Sequence, residues 1–540
     1  MGYPDSILFN INKPALYCGG EWNSLCKDWQ HTDVKIAISY PDTYEIGMSN
    51  MALPILYAIL NRQPGALAER VFAPRADMAA AIAQAGISLL SLESKHPLGE
   101  FDVIGFSLGY ELTFTNVLNM LHLAGIPVLA AERNEEHPLV IAGGSCVLNP
   151  EPMVDFIDLF VIGEAEELLA KLVACLRKWK LEGLCKEELL KEAASIPGVY
   201  VPGFYNVNYD ADGLIKSITS SSDEISSKVK RQIVAKLPPT VTDPVVPFVE
   251  VVHDRGAIEI SRGCSRGCRF CNAGIIYRPV RQRPPQEVLA AVEGLITDCG
   301  YDEFSLVSLS TSDYCNLDKL IGTISRKYEK QPLAISLPSL RISQDSLSLI
   351  ESLPSRRKTG LTFAPEAGSQ RLQRVINKCI PEEELLATAT AAFMRGWLNL
   401  KLYFMLGLPT ETEEDIHGII SLVEKVRAQG KIACGRKPQL RLSFSTFVPK
   451  PHTPFQWVAM DDEQQLDVKQ QILKSGLHRK GIRLSWQDTK TSLLEAVLAR
   501  GDRRLGKVIH RAWQMGAVFD GWSEHFNYAV WQRAFEEAGI

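Results

Sequence analysis

Apolar positions along the chain fall into two series of short runs, separated by a polar, proline-rich stretch. In the first series, residues 33–40 (DVKIAISY), 87–92, 103–107, 126–130, 139–142 and 159–162 are apolar runs of strand length. Residues 51–60, 78–85, 115–124 and 165–180 read as helices among them. Strands alternating with helices imply a parallel, doubly wound sheet of Rossmann-like (flavodoxin-like) α/β type. In the second series, residues 257–260, 303–309, 333–337, 360–363, 399–405 and 440–447 alternate with helical patterns in the same way, giving six β/α units. Between the series, residues 183–215 begin as a helix and end as a hairpin turning at Asp210–Gly213. Residues 220–247 read as an extended, semi-rigid linker because of their prolines. Beyond 458 come a helix (461–474), a short strand (481–485) and a longer helical region (491–515). The expected organisation is a lead-in (1–32), a Rossmann-like domain (33–181), a connection (182–250), a second α/β domain (251–457) and a mostly helical extension (458–540).

Composition narrows the class. A chain of 540 residues exceeds one ordinary core. The 46% apolar and 22% charged content is that of a soluble globular protein. A net charge of −5 gives no global argument for a nucleic-acid partner. The N-terminus lacks a basic start followed by an apolar run, and no apolar stretch reaches the roughly 18–20 residues of a membrane span. Nine of the twelve cysteines are scattered, as expected of thiols in a reducing cytoplasm.

The other three are concentrated. Residues 261–283, SRGCSRGCRFCNAGIIYRPVRQR, place Cys264, Cys268 and Cys271 in a C-x₃-C-x₂-C array. Glycines at 263, 267 and 274 allow the backbone to curl so that three thiolates reach one [4Fe–4S] cube. A C-x₂-C pair alone is more often a zinc or redox motif. No second pair and no H-x₃₋₅-H partner follows here to complete a zinc tetrahedron. Three ligands on a four-iron cluster leave one iron open, which suits chemistry rather than a closed structural site.

With Phe270 directly before the third cysteine, the array resembles the C-x₃-C-x-aromatic-C signature of the radical S-adenosylmethionine (SAM) superfamily. The resemblance implies a partial (β/α)₆ barrel with its chemistry at the C-terminal strand ends. It also implies that the open iron chelates SAM, and that an electron from the cluster splits a C–S bond to give a 5′-deoxyadenosyl radical. The electron would come from a donor such as flavodoxin or ferredoxin. On the same comparison Ser308 and Ser310, with Asp313 nearby, stand where the family has a Gly-Gly-Glu run for the SAM amine. APEAGS (364–369) makes Glu366 the candidate for the SAM ribose. Arg371 offers a fork for its carboxylate, although a solvated helix arginine is as good a reading. Backbone near Gly407 in MLGLPTET would approach adenine. FVPKPHTPFQW (447–457) resembles the segment closing such barrels, where His452 would face the substrate, although a loop histidine is more often merely exposed.

The first series carries a second resemblance. PDTYEIG follows the first strand, SLGYE a central one and AGGSC a later one, where doubly wound sheets bind ligands. The arrangement resembles cobalamin-binding domains with D-x-H-x-x-G, S-x-L and G-G elements. Asp42 and Gly47 match, Ser107 approximates the serine, and Gly143 and Gly144 match the pair. Tyr44 stands in place of the cobalt-ligating histidine, so cobalamin is expected without a histidine lower ligand. Without bound cobalamin, these glycines would be plain turns. No G-x-G-x-x-G opens a helix, which argues against a nicotinamide cofactor.

Residues 33–540 resemble fused cobalamin-binding/radical SAM proteins, and the expected function is cobalamin-dependent methyl transfer to an unactivated carbon. Two other readings stand beside it: sulfur insertion into RNA or protein, and a cobalamin or redox sensor without catalysis. Arg500, Arg503, Arg504, Lys507 and Arg511, with Trp513, Trp522 and Trp531, read chiefly as a capping helical domain and secondarily as a surface for RNA or an acidic protein. No residue is assigned to the chemical step. Cys315, near a strand end, reads as a plain buried or loop thiol.

Overall fold

The computed structural model describes residues 2–331, 333–338, 341–342, 361–435, 437–478 and 481–540. They form two units, one made of 1–254 with 501–540 and one of 255–500.

The first unit is built on β1 (Val34–Tyr40), β2 (Ala66–Phe72), β3 (Val103–Ser107), β4 (Leu139–Gly143), β5 (Leu159–Val161) and β6 (Val199–Tyr200), in the order β2-β1-β3-β4-β5-β6. The first five are parallel and β6 runs antiparallel to β5. Helices cover such a sheet on both faces, so its strands are nearly continuous apolar runs. Ile36, Ile38, Val103, Leu139 and Ile141 pack against Leu53, Leu60, Leu172 and Leu176 of helices Ala52–Arg62 and Leu168–Glu182. After β1 the chain crosses to β2 on one side and then returns to β3 on the other. The switch point therefore lies between β1 and β3.

Two expectations are corrected here. Residues 87–92 and 126–130 form no strand. In the first, Leu90 makes only an isolated bridge to Pro97. The edge position is taken instead by β2, ALAERVF, whose Glu69 and Arg70 interrupt the apolar pattern that marks a buried strand. All seven residues of β2 are buried. Burial of Arg70 is tolerated because Glu21 and Glu93 enclose it: Nη2 lies 2.8 Å from Glu21 and Nε lies 2.6 Å from Glu93. Burial pushes both carboxyls up while the guanidinium pulls both down. For Glu21 the pull prevails, and for Glu93 burial does.

Glu21 belongs to the lead-in, so that segment is part of the fold rather than a loose start. The expected linker is likewise bound to this unit. Gln232 donates to Ile162 O at 2.9 Å, and Val246 bridges Trp22. The hairpin expected around 210–213 is present as β7 (Tyr205–Tyr209) and β8 (Ile215–Ser220).

The second unit carries β9 (Gly256–Glu259) and a short antiparallel ribbon of β10 (Ser261–Arg262) and β11 (Arg281–Gln282). Its remaining strands are β12 (Glu303–Val307), β13 (Ala334–Ser336), β14 (Leu361–Glu366), β15 (Asn399–Leu406), β16 (Gln439–Thr446) and β17 (Ile482–Trp486). They form two parallel sheets, β13-β12-β9 and β14-β15-β16-β17. The expected start of β14 at 360 lies outside the described residues. The strand expected in the extension is β17, and it belongs to this sheet. Its alternating Ile482, Leu484 and Trp486 face the core, where Trp486 stacks on Phe444 at 4.3 Å and Phe444 on Phe404 at 5.8 Å.

The extension is thus divided. Helix Thr489–Arg500 closes the second unit, and helix Leu505–Gln514 packs in the first against Phe114–Leu123. Leu505, Val508 and Ile509 are buried there, each contributing roughly 1.5–3 kcal/mol. The basic run is largely consumed internally. Arg503 pairs with Glu151, Arg504 with Asp502 and Arg511 with Glu537. Trp531 is buried, with Nε1 donating to Asp520 at 2.9 Å.

Replacing Arg70 by Met leaves Glu21 and Glu93 buried without a counter-charge. Urea unfolding should show a loss of about 3–5 kcal/mol, and an added Glu93→Gln change should return part of it.

Candidate functional site

The cysteine loop is an excursion of residues 263–280 pinched at its base by the β10–β11 ribbon. Gly263 lies at φ +86°, and a Cβ there would meet the carbonyl oxygens of Tyr277 and Pro279 at 2.5 and 2.6 Å. Gly267 is also left-handed, at φ +74°. Only glycine combines such φ values with so close an approach. Cys264, Cys268 and Cys271 are partly buried, and Gly274 N lies 3.2 Å from Cys271 Sγ. Burial pushes the thiols of Cys268 and Cys271 up, and the Lys378 ammonium pulls both back. Among the described residues no group of three or more His, Cys, Asp or Glu is spaced to hold a single metal ion. Each cysteine of a cube binds a different iron, so the set fits a cluster, which would take the place of the thiol protons.

The loop is held from outside. Arg269 N donates to Ile376 O at 3.0 Å, and Asn377 Nδ2 donates to Gly267 O at 2.9 Å. The Arg269 guanidinium caps Arg374 O and Val375 O. On another side Arg266 Nε donates to Asp313 Oδ2 at 2.8 Å, and Asn272 reaches Pro451 O at 2.8 Å. Phe270 packs among Ala367, Leu372, Ile376, Leu408, Phe447 and Phe455. The loop after β9 is therefore docked on segments that follow β12, β14 and β16.

Ser308, Ser310, Glu366 and Gly407 lie at the carboxyl ends of β12, β14 and β15. Ser308 follows β12 and is buried, with Oγ 3.0 Å from Thr311 Oγ1. Ser310 precedes the turn Thr311–Asp313, and its hydroxyl bonds Asp313. Glu366 ends β14 just past a register shift in the β14–β15 pairing, with φ +65°. A bulge followed by left-handed backbone re-aims a side chain, at a cost met only where the surroundings enforce it. Its carboxylate lies 2.8 Å from Lys378 Nζ. Gly407, at φ +78°, follows β15, and its amide donates to Glu411 Oε2 at 2.8 Å.

Arg371 lies in the helix after β14. Its fork is engaged by the chain itself, with Nη2 2.7 Å from Thr410 O and paired with Asp415. Asp415 also accepts from Ser369 and from Thr412 N, so it ties the loops after β14 and β15 together.

In the first unit, Asp42, Ser107, Gly143 and Gly144 lie at the carboxyl ends of β1, β3 and β4. Tyr44 does not join them at the surface. It is buried against Phe72, and its hydroxyl donates to Glu21 at 2.9 Å. Burial and Glu21 push the phenol up, so it remains a donor. Gly47 is explained by packing, since a Cβ would strike the Phe72 ring at 2.2 Å. Gly144, at φ +114°, lets its loop close on Leu108 O. Asp42 Oδ1 accepts from Thr43 N at 2.7 Å and from Trp522 Nε1 at 3.0 Å.

Residues 258–423 match the profile of the radical SAM superfamily, and residues 52–202 that of radical SAM proteins, N-terminal. The chain belongs to the radical SAM superfamily. Its members are enzymes that use a [4Fe–4S] cluster and SAM, and residues 264–271 lie within the matched span.

An uncharacterized protein of Methanocaldococcus jannaschii is 28% identical over 481 residues, covering 88% of this chain and 90% of its own. The ribosomal protein uS12 methylthiotransferase RimO of Thermodesulfovibrio yellowstonii is 28% identical over 178 residues, which is 32% of this chain and 41% of the relative. In fold, the chain is similar to the radical SAM methyltransferase TsrM of Kitasatospora setae, solved with cobalamin and a [4Fe–4S] cluster bound. The TM-score is 0.50 and the identity 16%, covering 78% of this chain and 76% of that one. It is also similar to the cobalamin-dependent SAM radical enzyme OxsB with aqua-cobalamin bound. There the TM-score is 0.50 and the identity 13%, covering 94% and 80%. No helix among the described residues is long and apolar enough to cross a membrane.

Within the radical SAM unit, Lys378 escaped the motif reading. No spacing rule marks a lysine three residues past the end of helix Gln370–Val375. Only the docking of 374–378 on the cysteine loop brings its ammonium to Cys268, Cys271 and Glu366. Lys378→Met removes a cation beside the cluster, which should shift the cluster's reduction potential to more negative values in an EPR-monitored titration.

Burial pushes the Asp415 carboxyl up, but hydrogen bonds from Ser369, Arg371 and Thr412 outweigh it and hold its pKa below the usual value. Its stabilisation is complete above the unfolded carboxylate pKa near 3.9 and is lost as pH falls through the lower folded value. Asp415→Asn should cost about 2 kcal/mol at neutral pH in denaturant unfolding. The gap from wild type should narrow on acidification into that range.

Proposed function

We infer that this radical SAM enzyme is a cobalamin-dependent methyltransferase acting on an unactivated carbon of a substrate still to be identified, in the cytoplasm and with electrons from a flavodoxin- or ferredoxin-like donor. The observation that carries the reading is the first unit's sheet. It has the order β2-β1-β3-β4-β5, with the Asp42–Gly47, Ser107 and Gly143–Gly144 elements following three adjacent strands. The fold likeness to TsrM and OxsB supports it.

The residues present fit a corrinoid held without a protein lower ligand. No imidazole stands after β1, and the Tyr44 phenol is committed to Glu21. Gly109 and Gly144 leave exposed backbone after β3 and β4, and a Cβ at Gly109 would meet nothing within 4 Å. When bound, the cluster supplies the electron that cleaves SAM and the corrinoid carries the methyl group.

The chain's own residues do the positioning. Cys264, Cys268 and Cys271 would hold the cluster, and with only three cysteines it would keep a position for SAM. Ser310 and Asp313 stand at the strand end assigned to the amine. Glu366, fixed by Lys378, is the candidate for the ribose hydroxyls, and the backbone after β15 at Gly407 for adenine. Phe270 shields one side of the cluster from water among buried apolar side chains. A fixed site of this kind lowers the barrier by holding the reacting atoms together rather than by acid–base work.

Sulfur insertion is the competing reading, supported by similarity to methylthiotransferases over about a third of the chain. Anaerobic reconstitution with iron, sulfide and hydroxocobalamin separates the two. The expected result is about four irons per chain with stoichiometric cobalamin in the visible spectrum. The iron should be lost in a Cys264→Ala/Cys268→Ala/Cys271→Ala variant. A count of about eight irons would favour sulfur insertion. A count of about four irons without cobalamin overturns the methyltransferase reading.

A further inference from the structure

The sheet β14-β15-β16-β17 buries one face against helices, with Leu400, Leu402, Leu440 and Leu442 in that core. Successive side chains of a strand point to opposite faces, so the residues between these leucines form the other face. Parallel barrels usually fill that face with Val, Ile and Leu. Here it carries Lys401, Tyr403, Arg441, Ser443, Arg483 and Ser485, all partly or fully exposed. A face of this composition is wet rather than packed.

Its charges stand in a single register row. Thr362 pairs with Lys401, Lys401 with Arg441, and Arg441 with Arg483. Neighbouring strands lie about 4.8 Å apart, so three cations stand side by side. Like charges directly opposite one another destabilise a sheet, and a carboxylate on the same strands would relieve them. The only one these four strands carry is Glu366, at the carboxyl end of β14 and bound to Lys378. Among the described residues none of the three cations has an ion pair. Lys401 Nζ instead lies 4.5 Å from the centroid of the Tyr403 ring, which holds the ammonium without neutralising it.

We propose that this row binds the diphosphate group of a small-molecule substrate. Two guanidinium forks on adjacent strands match the oxygens of neighbouring phosphates, the ammonium adds a third charge, and the Thr362 hydroxyl a further hydrogen bond. The positive strip ends after one row. Asn399 and Gln439 follow it on one side, and Tyr403, Ser443 and Ser485 on the other, all uncharged. That footprint suits a diphosphate, whereas a nucleic-acid backbone engages about 6–10 phosphates. The same strands lead to the candidate SAM residues. Met405, four residues along β15 from Lys401, packs on the same apolar cluster as Phe270. At about 3.3 Å per residue that is about 13 Å, which sets the reach from the phosphates to the reacting carbon. This reach rests on the radical SAM reading; the anion site itself does not.

Titration calorimetry of the full-length protein with inorganic pyrophosphate tests it. Pyrophosphate should bind saturably with a Kd below about 1 mM, and orthophosphate at least about tenfold more weakly, since it offers fewer oxygens to the row. Arg441→Gln should weaken pyrophosphate binding about tenfold. Its thermal midpoint without ligand should stay unchanged or rise, because a like-charge contact is relieved. In the cluster-loaded protein, saturating SAM should leave pyrophosphate affinity unchanged, because the row and the cysteine loop stand at opposite ends of the strands. Absence of saturable pyrophosphate binding overturns the proposal, and since that titration needs no cluster, it does so whatever the reconstitution shows. So does unchanged affinity in Arg441→Gln, or a midpoint well below wild type, which would reveal a structural partner for the guanidinium. Competition by SAM would place the anion at the cysteine loop instead. Equal binding of orthophosphate would overturn the diphosphate assignment, and much tighter binding of a single-stranded RNA oligonucleotide would replace it with a nucleic-acid surface.

Discussion

The cysteine loop cannot hold its own shape, and much of the second unit is arranged around that constraint. Between the β10–β11 ribbon and the short helix Ala273–Ile276 the loop has no ladder of hydrogen bonds of its own, and two of its glycines are left-handed. Its geometry comes from the neighbouring strand ends. Ile376, Asn377 and the carbonyls of 374–375 grip Gly267 and Arg269. Asp313 grips Arg266. Those grips depend in turn on Asp415, which ties the loops after β14 and β15, and on the apolar seat of Phe270. A parallel sheet brings its carboxyl ends to one edge, and so makes such cross-bracing possible.

Electrostatics at the loop follow from the same docking. Burial disfavours thiolates, so the sulfurs need either metal or cations nearby. Lys378 supplies one such charge and is itself oriented by Glu366, whose backbone is bulged and left-handed. Strain at Glu366 and the ammonium at Lys378 thus serve one local arrangement, held by the packing of helix Gln370–Val375 beneath it.

In the first unit the sheet is closed by both ends of the chain. The lead-in brings Glu21 to Arg70 and to Tyr44, so the residue standing where a cobalt-ligating histidine would be is anchored in the core. The C-terminal segment brings Asp520 and Trp522 to the helix after β3 and to Asp42. A doubly wound sheet leaves a crevice at its switch point, and here the same chain roofs part of it. Beyond that roof, Gly109 after β3 and Gly144 after β4 are exposed.

The local pattern of the chain determined a good deal by itself. Period and spacing were enough for two α/β series, for most strands, and for the three cysteines with their glycines, since each follows from neighbours a few residues apart. Spacing could not find β2, because Glu69 and Arg70 look out of place in a buried strand until Glu21 and Glu93 arrive from elsewhere. Nor could it assign β17, whose alternation suits any half-buried strand until Phe444 lies beside Trp486. Arg371 and Lys378 show the same limit at the site. Only the fold pairs the first with Asp415 and brings the second close to the thiols of Cys268 and Cys271. Ion pairs and packing join residues distant in sequence, so no local pattern encodes them. The tertiary structure alone decided which charges are neutralised inside the protein and which remain for a ligand.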